Sequence, residues 1–172
     1  MTPLTSASRP FFYAEFEFVG PFVGPLSKAQ YVDALAGALN PEDGFPDLRG
    51  RQFGFVADPV EPGRVWWLTR PTGTFTGNAF FGAAPNGEVL ETPPQAMGVV
   101  WNAAGQVAKF NMGTPIDRTA GNTGGMGGLF AFLWFVGKPL PIPECAPYSM
   151  SLRFRALNAV GSFLQGLAPK ND

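Results

Sequence analysis

Few side chains in this sequence could do chemistry, and their types narrow what that chemistry could be. The chain has no histidine and a single cysteine, Cys145. The commonest general base and the commonest protein metal ligand are therefore both missing. Cys145 has no imidazole to activate it and no second thiol to pair with. Ser-His-Asp hydrolysis, Cys-His proteolysis and cysteine- or histidine-built zinc sites are excluded unless a partner supplies the imidazole, and no metal or cofactor is expected. Gly121 to Gly128 (Gly-Asn-Thr-Gly-Gly-Met-Gly-Gly) lacks the Lys-Ser/Thr ending of a phosphate loop and the G-x-G-x-x-G spacing of a dinucleotide site. It reads as a tight loop where backbones pass closely, or as a flap. Asp58 and Glu61 flank a turn. Tyr31 could donate a phenolic hydrogen bond into a pocket, or simply pack in the core.

The elements that must position these residues come from pattern. Phe11 to Phe18 is aromatic-rich, and periodicity allows either helix or strand. Ser27 with Gln30 three residues on is a capping-box pattern. It opens a helix whose Tyr31, Leu35 and Leu39 share one stripe, closed by Asn40-Pro41. The period then changes to two. Phe53, Phe55 and Ala57 are expected on one side of a strand, and Arg64 to Arg70 alternates with Val65 and Trp67 opposite Trp66 and Leu68. Gln95 to Trp101 and Gln106 to Met112 read as a hairpin, with Gly105 where a left-handed residue is wanted. Leu129 to Val136 is apolar all round, and Ser151 to Leu167 reads as a final helix or helix-strand mix.

Composition sets the class. At 172 residues, with 45% hydrophobic and 14% aromatic content and a net charge of −1, the chain can fill a core and is not of the disordered type. Its 22 glycines and 18 prolines are interleaved with Phe, Trp and Val, which points to many turns. One domain over 1–172 is expected, with a core of about 11–118 and a Gly/Pro-rich extension of about 119–172. Near-neutral charge without a basic run gives no general attraction to nucleic acid or to an anionic membrane. The eight apolar residues from Leu129 are far short of the roughly 20 a span needs, so no membrane span is expected. Met1 to Pro10 does not read as a secretory signal. A cytoplasmic protein is expected, or one of an organelle lumen if a transit peptide has been removed.

A family resemblance becomes specific at Gly73-Thr74-Phe75-Thr76-Gly77, followed by Pro85-Asn86-Gly87, a strand, and a hairpin ending Gly105-Gln106-Val107. This resembles the SnoaL-like polyketide cyclases of the nuclear-transport-factor-two-like superfamily, with their G-T-H-x-G pattern, P-x-G turn and "G-K-I" hairpin turn. Phe45-Pro46-Asp47-Leu48 resembles another of their segments, and the match runs from about Phe16 to Arg118. The resemblance implies an α+β fold of the cystatin-like cone type, a curved antiparallel sheet with helices closing an apolar cavity. It implies cavity-lining roles for Tyr31, Trp67, Phe75, Trp101 and Phe110. It places Asp117 at the family's acid/base aspartate, and desolvation by Trp101, Phe110 and Met112 would raise its pKa.

Phe75 stands where the family has histidine, which makes the pocket drier and favours a small, largely apolar ligand. Isomerase, cyclase or hydratase chemistry on such a compound is one expectation, and binding without turnover is another. A non-catalytic structural or dimerisation subunit, its pocket filled by its own side chains, is the alternative. The apolar segment after Leu129 points to a homodimer contact or a lid.

Overall fold

A computed structural model of the chain describes residues 11–37 and 40–167. The first aromatic segment is a strand, β1 (Phe12–Val19). Phe16 and Phe18 are buried on one face, and Glu17 points to the other, where it meets Lys109 at 2.9 Å. β2 (Leu26–Ser27) pairs with β1 and leads into α1 (Lys28–Gly37). The capping box forms as the sequence requires: Ser27 N donates to Gln30 Oε1 at 2.9 Å, and Gln30 N to Ser27 Oγ at 3.4 Å. Of the expected stripe, Tyr31 is buried and Leu35 is exposed, while Leu39 lies outside the described residues. Asn40-Pro41 begins a new element instead of only ending the helix. Asn40 Oδ1 caps the one-turn α2 (Pro41–Gly44) by accepting from Glu42 N.

Six further strands come next: β3 (Phe53–Ala57), β4 (Arg64–Thr69), β5 (Thr72–Thr74), β6 (Val89–Glu91), β7 (Gln95–Trp101) and β8 (Val107–Pro115). The main sheet has the order β2-β1-β8-β7-β4-β3, and β5-β6 form a separate pair. The β7–β8 hairpin lies where expected, with Gly105 at a φ of 73°. α3 (Gly128–Phe135) and α4 (Leu152–Leu167) complete the chain, and none of the described helices is long and apolar enough to cross a membrane.

The sheet is antiparallel as expected, with one parallel pair within it, β1 and β8, which set Phe18 opposite Phe110. The long excursion between these two strands makes such a crossover possible where a hairpin could not. One expectation is corrected: Phe53 and Phe55 do not share a face. Gly54, at a φ of 68°, takes a bulge that puts Phe53 opposite Leu68, and the register is shifted by the time Val56 meets Trp66.

The core is two clusters. One joins Phe16, Phe18 and Tyr31 beneath α1. The other joins Phe45, Phe75, Phe80, Leu90 and Phe132, bringing the α2 end and α3 onto the β5–β6 pair.

Candidate aromatic binding site

The register of the main sheet assembles one candidate site. Phe18 opposes Phe110, Phe110 opposes Val99, and Trp67 opposes Met97, so all five lie on the face that α1 partly covers. Their rings and those beside them form a strip across the sheet. Tyr31 stacks on Phe18 at 4.6 Å, Phe18 meets Phe110 at 6.0 Å, Phe110 stacks on Trp67 at 6.4 Å, and Trp67 stacks on Phe55 at 5.7 Å. Spacings of this kind are favourable for offset and edge contacts. At the α1 end the strip is buried; at the β3 end Phe55 is 61% exposed.

Two polar groups punctuate it. Trp67 Nε1 is buried and has no hydrogen-bond partner. The Tyr31 phenol is pushed up to about 12 by burial. The folded protein therefore keeps a proton that the unfolded chain, with its ordinary value near 10.0, gives up. That contribution is complete below pH 10 and is lost as pH rises through 12. Stability should fall by on the order of 2–3 kcal/mol across this window. Urea unfolding at stepped pH should show the fall in the wild type and not in Tyr31→Phe.

The opposite face carries Trp66 and Leu68 together with polar groups that bind one another. Arg64, largely buried, donates to Glu61 at 2.5 and 3.2 Å and to Asn111 Oδ1 at 2.9 Å, and lies over the Trp66 ring. Asp58 accepts from Trp66 Nε1 at 2.6 Å and from Val60 N and Glu61 N, all of which hold its carboxyl below the usual range. Asp58 and Glu61 thus tie the β3–β4 turn to the sheet.

Of the residues the sequence singles out, Tyr31, Trp67 and Phe110 come together on the strip. Phe75 does not join them. It stacks on Phe45 at 5.0 Å inside the second cluster and is 1% exposed. Trp101 sits at the end of β7, largely exposed, and its carbonyl crowds Gly63. Asp117 is exposed in the turn after β8. Thr119 donates to its Oδ1 through Oγ1 at 2.6 Å and through N at 2.9 Å, and these bonds hold the carboxyl below its usual value. The expected desolvation by Trp101, Phe110 and Met112 and the upward shift are therefore corrected: Asp117 lies in water and Thr119 holds its carboxyl.

Phe18 and Phe55 belong to the site although sequence reasoning does not put them there. Phe18 is legible only as part of an aromatic run, and alternation alone gives Phe55 the wrong neighbours because it does not foresee the Gly54 bulge. The two motifs that carry the resemblance pack on each other. Asp47 accepts from Thr74 N at 2.6 Å and Thr74 Oγ1 at 2.8 Å, and Gly73 leaves room for Phe45 and Leu48.

Two grooves elsewhere are open to solvent and do not touch the strip. One, of about 350 Å³, lies between Asp47, Arg49, Arg51 and Glu91. The other, of about 460 Å³, lies between Phe22, Arg118 and Tyr148.

No family model and no curated protein matches the chain. Among solved structures it is similar to AclR, "a putative hydroxylase" from Streptomyces galilaeus, with 16% identity and a TM-score of 0.50 over 91% of this chain and 81% of that one. It is also similar to a "putative SnoaL-like polyketide cyclase" from Jannaschia sp. CCS1, with 22% identity and a TM-score of 0.44 over 60% of this chain and 66% of that one. At these identities the likeness is one of fold. The shared architecture is α+β, a mostly antiparallel sheet with helices packed on it.

Proposed function

We propose that the chain binds a small, largely apolar molecule carrying one hydrogen-bond acceptor, laid along the strip from Tyr31 to Phe55. The observation that carries this reading is Trp67 Nε1, a buried donor without a partner in the middle of an otherwise apolar strip. Such a group costs about 1–3 kcal/mol when left unmade, and a ligand carbonyl that displaces the side chain covering it would recover that cost. The fold shared with AclR agrees with a binding role. Acid/base turnover by Asp117 gains no support from an exposed carboxyl bound to Thr119 and held ionised. A second reading, a structural subunit whose pocket is filled from within, is favoured by the closed Phe45–Phe75–Phe80–Phe132 cluster.

Fluorenone and its hydrocarbon analogue fluorene separate the two. The wild type should bind fluorenone more tightly, followed by quenching of tryptophan emission or by native mass spectrometry. Trp67→Phe keeps a ring and deletes the donor, so it should lose about tenfold in fluorenone affinity and change little toward fluorene. Equal losses for both compounds, or no binding of either, would sink the proposal.

A further inference from the structure

Among the described residues, two of the apolar surfaces that face water bear on the strip. One is the β3 end of the aromatic strip. The other is α4, on which every residue from Leu152 to Val160 is exposed. Leu152 is 79% exposed, Leu157 69%, Val160 58% and Phe163 67%. At 3.6 residues per turn, Leu152, Ala156, Val160 and Phe163 fall along one side with Leu157 at its edge and the Arg153 stem between them, while Arg155, Asn158 and Ser162 fall on the other beside Phe154. An amphipathic helix of this kind holds together chiefly through what its apolar side covers, and within the described chain that side covers nothing.

We infer that α4 packs on the open end of the aromatic strip of a second copy, over Phe55 and Trp67, and so closes the proposed ligand site. The inference rests on the reading of the strip as that site. Two observations select a second copy as the occupant. The tether from Lys138 to Ser151 carries Pro139, Pro141, Pro143 and Pro147 and is exposed except at Cys145. Prolines stiffen such a segment and hold the helix beyond it away from the body, which favours exchange between copies over folding back.

The area also suffices. With large side chains offering roughly 150–200 Å² each when fully open, the exposed fractions on α4 leave on the order of 500 Å² of apolar surface. Two exchanged helices would bury about twice that from the helices alone, which with the strand surface reaches the range of a specific dimer. An anionic lipid surface would cover the helix but leave the strip open, so it explains half as much.

The test uses the full chain and two variants. Light scattering should find the wild type dimeric. The double substitution Leu157→Asp/Val160→Asp should be monomeric, with cooperative thermal unfolding that no longer depends on protein concentration and at least tenfold weaker fluorenone binding. Truncation after Ser151 should behave the same way and guards against a local effect of the charges. Trp67→Ala, whose strip is damaged but whose helix is intact, should dimerise weakly alone. Mixed with the helix variant, it should form a heterodimer, resolved by mass, that regains one fluorenone site. A monomeric wild type, a helix variant that remains dimeric, or no heterodimer on mixing would each overturn the inference. So would a monomeric wild type that sediments with phosphatidylglycerol vesicles, which would assign α4 to lipid. If the heterodimer forms and no protein binds fluorenone, the interface stands and the ligand reading alone falls.

Discussion

Phe45→Ala should cost about 3–5 kcal/mol of stability, the range for removing a buried phenylalanine ring. Phe45 is fully buried, and four other rings close on it: Phe75 at 5.0 Å, Phe132 at 5.3 Å, Phe135 at 5.9 Å and Phe80 at 6.0 Å. These neighbours come from the β5 region, the loop before β6 and α3, so no single element can move to fill the hole. Against a total of about 5–15 kcal/mol for a typical domain, the loss is a large share. The urea midpoint should drop steeply in Phe45→Ala. Phe53→Ala, at a ring 47% exposed on the edge strand, should shift it by less than about 1 kcal/mol. Similar drops in both would mean that the second cluster is not the centre of stability.

Gly127→Ala should cost about 3 kcal/mol by a different route, overpacking against backbone. Gly127 has an extended φ of −121°, so an alanine there is not conformationally strained. The obstacle is space. A Cβ on Gly127 would run into the Gly113 carbonyl and come within 3.0 Å of Pro115 Cγ, and a Cβ on Gly113 would come within 2.9 Å of Gly128. Here the start of α3 lies backbone to backbone on β8, held by Gly128 N donating to Gln95 Oε1 at 2.8 Å. The control is Gly105→Ala, where φ is 73° and nothing lies nearby; it should cost about 1 kcal/mol. If Gly127→Ala is as mild as the control, α3 is free to slide on the sheet and the close approach is not a constraint.

Local signals in the sequence are specific enough to read. Ser27 and Gln30 form a reciprocal cap that involves no distant residue, and Gly105 supplies the left-handed turn a tight hairpin needs. The order of Phe45-Pro46-Asp47-Leu48 and Gly73 to Gly77 is legible as a pattern because those residues pack on each other and build the frame. The same fact explains why Phe75 lies away from the strip: a motif that fixes the fold need not line its pocket. The exposure of Asp117 is harder to read because it depends on where the chain goes after β8. A local cue does exist in Asp117-Arg118-Thr119, since an aspartate two residues before a threonine commonly closes its own turn. The strip itself cannot be seen in advance. It needs β1 beside β8 and the Gly54 bulge, and neither is dictated by period or composition.

The parallel pairing of β1 with β8 also bears on the order in which the sheet can be built. Hairpins β3–β4 and β7–β8 close short loops and are kinetically cheap, whereas β1 must find a strand made roughly ninety residues later. During synthesis the first strand emerges and waits, its Phe16 and Phe18 unpaired, until the last strand of the sheet is available. Docking of β1 with α1 is expected to be the slow, late step of folding. Amides of β1 should gain exchange protection after those of the β4–β7–β8 core, and the half-built sheet is the species most exposed to aggregation.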